Sequence, residues 1–130
     1  MTRKKTSSTD LHNLQREVSM DSITGPFLPG EVVLVTLNSP REKFWGIVLG
    51  ISPAGLALRG MDLNSFEDFA RMIKSGDAAT PHAVFFPMHR VERAELDARN
   101  GDIPSLQERF FQKTGHDFIE LFVSNTSHSA

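Results

Sequence analysis

The spacing of apolar residues changes period twice between Glu31 and Leu96, from two to about 3.6 and back to two. Residues 31–38, EVVLVTLN, are dense in the β-branched side chains that strands favour and predict a first strand. After a charged turn, SPREK, residues 44–52 (FWGIVLGIS) predict a second. It contains Gly46 and Gly50, and glycine inside a strand marks a bulge or bend that lets a sheet curl. Ser52-Pro53-Ala54-Gly55 reads as a tight turn, because Pro53 presets φ and Gly55 accepts positive φ. A third strand follows over 56–63, LALRGMDL. Three neighbouring strands joined by short turns predict an antiparallel meander.

The period then becomes helical. NSFEDFARMIKSG places Phe66, Phe69, Ala70 and Ile73 on one face, at i, i+3, i+4 and i+7. Asn64 or Ser65 is placed to cap its start, with Glu67 or Asp68 three residues on, and Gly76 ends it. Past the DAATPH loop comes VFFPMHRVERAEL, residues 84–96. Ala83 to Phe86 read as a fourth strand. Pro87 has no N–H to give a ladder, so it belongs at an edge or a bend. Met88-His89-Arg90 makes the corner, and the spacing of Val91, Ala94 and Leu96 fits a single turn leading into a fifth strand. Two short strands about a sharp corner would close the meander into a five-stranded barrel. Beyond it, residues 104–115 (PSLQERFFQKTG) predict a helix capped by Ser105, boxed by Glu108 and stopped by Gly115. DFIELFV (117–123) continues as a further helical turn, with Phe118 and Phe122 at i, i+4.

This pattern divides the chain into an N-terminal arm over 1–29, a β-rich domain over 30–97, a helical extension over 98–123 and a polar tail over 124–130. The arm is rich in Ser, Thr and charge and reads as flexible, with room for one short helix carrying Leu11, Leu14 and Val18.

The order of a three-stranded meander, a helical insert and two short strands around a tight corner resembles the Sm-like (LSm) fold, an SH3-like small barrel. Val33, Val35 and Leu37, then Gly46, Val48, Leu56 and Leu58, look like the first motif of that family, and VERAEL from Val91 looks like the end of the second. The resemblance covers residues 31–96. It implies a mainly β barrel with a helix between strands three and four, and either ring-like self-assembly or RNA binding. The turn between the second and third strands, Ser52-Pro53-Ala54-Gly55, carries no asparagine or aromatic residue, and Pro87-Met88-His89 stands where the family has Arg-Gly. Both departures act on the position of the family's base-binding pocket.

Charge and composition turn the expectation toward protein contact. Residues 30–97 hold seven Lys/Arg against nine Asp/Glu, a net of −2. Phosphate affinity comes chiefly from cations, so such a domain has no basic footprint. Arg3, Lys4 and Lys5 in the arm, with Arg41 and Lys43 in the first turn, are the concentrated basic positions and carry the alternative of RNA binding. The chain has no cysteine, which excludes disulfides and thiolate chemistry. Its five histidines lack metal-site spacing, and no nucleophile–base motif or phosphate loop occurs. Neither an enzyme nor a metal, cofactor or small-molecule ligand is expected. No apolar run approaches the roughly 20 residues that span a bilayer, and the basic start lacks an apolar signal core, so a cytoplasmic protein is expected. Ten Phe and one Trp remain to be explained. Phe44-Trp45 and Phe85-Phe86 are adjacent pairs, and strand neighbours face opposite ways, so one of each pair points out of the barrel. Trp45, Phe85, His89, Arg90, Phe111, Phe118 and Phe122 are therefore the candidate contacts to a protein partner or a second copy, in a non-catalytic binding module.

Overall fold

The computed structural model of the protein describes residues 25–122. Arg3, Lys4, Lys5 and the Leu11–Leu14–Val18 spacing lie outside the described residues. The meander forms as β1 (Val32–Leu37), β2 (Glu42–Ser52) and β3 (Gly55–Asp62). A 3-10 turn (Leu63–Ser65) leads into α1 (Phe66–Lys74). Strand β4 (His82–Pro87), a 3-10 turn (Met88–Arg90) and β5 (Val91–Leu96) follow, then α2 (Leu106–Thr114) and a helical stretch over 118–122. The result is mainly β: one five-stranded antiparallel sheet in the order β4-β3-β2-β1-β5, with helices against one face.

The sheet is strongly curled. Phe44 lies opposite Asp62, and Phe86 opposite Leu56. Asp62 and Leu56 are six residues apart on β3, roughly 20 Å in a straight strand. Yet the Phe44 and Phe86 rings meet edge to face at 5.2 Å between centroids. Only a bent sheet brings them together. The bend comes from the register shift between Val48 and Gly50, and from the facing pair Gly46 and Gly60. A Cβ on Gly60 would lie 2.1 Å from the Trp45 carbonyl oxygen and 2.5 Å from the Gly46 Cα, so glycine is required for the two strands to approach there. Inside the curl, Val33, Val35, Leu37, Val48, Leu56 and Leu58 form a buried cluster, joined by Val84 and Phe86 from β4 and Val91 and Ala94 from β5.

The expected closed barrel does not form. β4 and β5 are the two ends of the strand order and do not pair with each other. The corner explains this. Pro87 supplies no N–H, and the three-residue turn after it sends the two strands apart from a common vertex. Among the described residues the sheet stays open, with two edges.

The outer face is covered by helices, and this corrects the expectation for two aromatic residues. Trp45 and Phe118 are buried rather than presented to a partner. Trp45 stacks on Phe118 at 3.8 Å and meets Phe66 edge-on at 5.2 Å, with Phe110 at 6.0 Å. Phe66, Ala70 and Ile73 are the buried stripe of α1, as its periodicity predicts. Burying an indole of this size contributes roughly 4–6 kcal/mol at the usual value per unit area.

The capping signals are met at α2 and displaced at α1. Ser105 Oγ accepts the Glu108 N–H at 3.0 Å while Glu108 Oε1 accepts the Ser105 N–H at 2.8 Å, and Gly115 takes φ 79° at the far end. The Ser105 amide holds the Glu108 carboxyl below its ordinary pKa of 4.5, with help from the Arg99 guanidinium at 3.2 Å. At α1, neither Asn64 nor Ser65 caps by its side chain. Asp62 does so one turn earlier, its Oδ1 accepting the Asn64 N–H at 2.8 Å, because β3 runs straight into the 3-10 turn.

Candidate functional site

Two polar clusters fix the two ends of β5, and both tie residues distant in sequence. Asp97, just past β5, donates its N–H to the Val32 carbonyl at 2.9 Å. Its carboxylate accepts the Leu106 N–H at 2.8 Å, the Gln107 N–H at 2.9 Å and the Trp45 indole N–H at 3.1 Å. One side chain thus satisfies two orphan donors at the start of α2 and the polar atom of the buried tryptophan. Arg90, at the other end of β5, donates to the carbonyls of Asn38 at 2.8 Å and Pro40 at 3.0 Å, and to Glu42 Oε1 at 3.2 Å. The Asn38 N–H donates back to the Arg90 carbonyl at 2.9 Å. Arg90 therefore clamps the β1–β2 turn, and its guanidinium is committed within the chain.

The remaining candidates separate by exposure. His89 is exposed on the corner, its carbonyl accepting the Asn38 side-chain amide at 3.2 Å. Phe122 is half-buried against Phe118 at 4.9 Å. Phe111 stands 51% exposed on the side of α2 away from Phe110. Phe85 is 56% exposed on β4. Arg41 is exposed in the first turn and Lys43 at the start of β2, and Arg41 lies 3.5 Å from Glu92. The structure does not gather these residues into one place: Phe111 is on α2, and Phe85 lies at the far edge of the sheet. No group of three or more His, Asp or Glu side chains is placed to hold a metal ion among the described residues. The clefts are shallow. One of about 300 Å³ runs between α1 and the start of β4, lined by Phe69, Met72, Ala79, Pro81 and His82.

What does organise the surface is the open edge of β4. Bonded pairs in an antiparallel ladder recur every second residue. The Met88 N–H donates to the Ala54 carbonyl at 3.0 Å. With the register of β3 and β4, this makes Leu56–Phe86, Leu58–Val84 and Gly60–His82 the bonded pairs. Ala83 and Phe85 therefore turn N–H and C=O away from the sheet, and Pro87 turns a carbonyl alone. On β5, the Asp97-to-Val32 and Asn38-to-Arg90 bonds put Ala94 and Leu96 outward by the same rule. The side chains of Ala83 and Phe85 share the helix-bearing face with Ala57, and Leu49, at the bulge, is 42% exposed nearby in register. None of these alanines stands out in sequence; the signal available was the run HAVFF, free of Asp, Glu, Lys and Arg, between Pro81 and Pro87. No family model matches the chain, and neither the curated proteins nor the solved structures contain a match to it.

Proposed function

We propose that this chain is a non-catalytic binding module, Sm-like or SH3-like in strand layout though with an open sheet, that engages protein by strand addition at the β4 edge. The observation that carries this reading is the edge itself, on which no strand of the described residues pairs. Ala83 and Phe85 offer main-chain donors and acceptors to solvent, and beside them an aromatic ring stands more than half exposed. Natural sheets cover or charge such edges unless they are used. An extended segment that adds to an edge gains main-chain hydrogen bonds for affinity and side-chain contacts for selection. The meander, the helix before β4 and the three-residue corner support the Sm-like layout.

Immobilised chain and its Ala83→Pro variant test the reading. The proline removes one outward N–H and leaves the ladder to β3 untouched. Protein retained by the parent and lost from the variant supports edge binding. Equal retention by both overturns it. So does salt-sensitive, submicromolar binding of labelled U-rich RNA, which would instead favour the cations at Arg41, Lys43 and in the arm.

A further inference from the structure

The segment that forms the open edge is symmetric about Val84. Pro81 and Pro87 lie three residues to either side, and Ala83 and Phe85 one residue to either side. All four have odd numbers, so all share the outward parity derived for β4. We infer that two copies of this chain pair β4 against β4 in an antiparallel ladder, on a twofold axis at Val84. This rests on the edge-binding reading and names its occupant.

In that register Ala83 of one copy faces Phe85 of the other, twice over. Each such pair exchanges two N–H···O bonds, so every outward N–H and C=O of Ala83 and Phe85 finds a partner. Pro81 faces Pro87 at each end, where neither has an N–H to leave unpaired. The Pro81 carbonyl already accepts the Arg59 guanidinium at 3.4 Å. The large ring of Phe85 meets the small side chain of Ala83 on the same face of the joined sheet. Charge favours the same occupant. HAVFFP carries no Asp, Glu, Lys or Arg, so it opposes its own copy without like-charge repulsion. Pairing β4 with β5 of another copy would instead set it beside Glu92, Arg93 and Glu95.

Cysteine cross-linking reads the register directly, because the chain contains no cysteine. Bonded antiparallel partners stand about 5.5 Å apart at Cα, within disulfide reach, whereas diagonal neighbours at roughly 7–8 Å lie at or past its limit of about 7 Å. Ala83→Cys and Phe85→Cys should each remain uncross-linked alone under mild oxidation and form a covalent dimer when mixed. Sedimentation of the unsubstituted chain should show its mass rising from one copy toward two with concentration, and Ala83→Pro should weaken that association by about tenfold or more. A dimer from Phe85→Cys alone would place the axis elsewhere and overturn the inference. A cross-link only between Phe85→Cys and Leu96→Cys would overturn it in favour of head-to-tail assembly. A chain that stays monomeric at every concentration would overturn it too. The last result leaves edge binding standing if Ala83→Pro still loses a retained protein, so the two failures are distinguishable.

Discussion

The two edges of this sheet have the same length and opposite character. β5 is VERAEL, with the Arg93–Glu95 ion pair at 2.6 Å and Glu92 facing Arg41 at 3.5 Å. It is also pinned at both ends, by Asp97 to Trp45 and α2 and by Arg90 to the β1–β2 turn. β4 is HAVFFP, uncharged, with Phe85 open to solvent. Charge on an edge strand is a common way of discouraging further pairing, and β5 has it while β4 does not. The difference teaches that an open sheet can guard one border and leave the other available. The hydrophobic clusters inside the curl and under the helices do not distinguish the two, because both strands feed the inner one.

The largest expected effect comes from cutting the anchor of β5. Asp97→Ala leaves the part-buried Trp45 N–H and the first N–H groups of α2 without their acceptor. It should lower stability by roughly 2–4 kcal/mol, seen as a fall in the urea midpoint. Arg90→Ala at the opposite end should cost less, roughly 1–2 kcal/mol in the same titration, because Asn38 still bonds the Arg90 main chain. Phe85→Ser on β4 should change stability by no more than about 0.5 kcal/mol, as for an ordinary surface site, while weakening association. Should Phe85→Ser destabilise the fold as much as Asp97→Ala, the contrast between a fastened and a free edge is lost. Discharging β5 with Arg93→Val and Glu95→Val together should make the two borders alike, and light scattering should then show species larger than a dimer.

The smallest effect is electrostatic. The folded pKa of Glu108 lies below its unfolded value of 4.5, so its contribution is present above 4.5 and is lost as pH falls through the folded pKa. Helical circular dichroism should decline slightly over that acid window, and Glu108→Gln should remove that part of the pH dependence. The change belongs to α2 and should leave exchange at β4 as it was.

Much of this was legible in the chain. Strand positions, the Met88–Arg90 corner, the buried stripe of α1 and the Ser105–Glu108 box all follow from local spacing, since each interaction lies within a few residues. What escaped depends on partners far away in sequence. Trp45 is 52 residues from Asp97, and Phe118 must fold back across α2 to stack on it, so strand alternation alone could say only that one of Phe44 and Trp45 faces outward. It could not say that helices would cover it. Arg90 looked available because its acceptors, the carbonyls of Asn38 and Pro40, appear only when the corner meets the first turn. Closure escapes the sequence for a similar reason: a proline corner shows that the chain turns, not by how far the strands splay afterwards. Of the candidate site, Phe85 was identified by its type and neighbours. The alignment of its main chain with that of Ala83 needed the register.

Residue-resolved amide exchange across a range of protein concentrations tests the central claim most directly. Exchange at Ala83 and Phe85 should slow as concentration rises, while Ala94 and Leu96 on β5 stay fast. Protection that grows at Ala94 and Leu96 instead, or fails to grow at either border, would contradict the account.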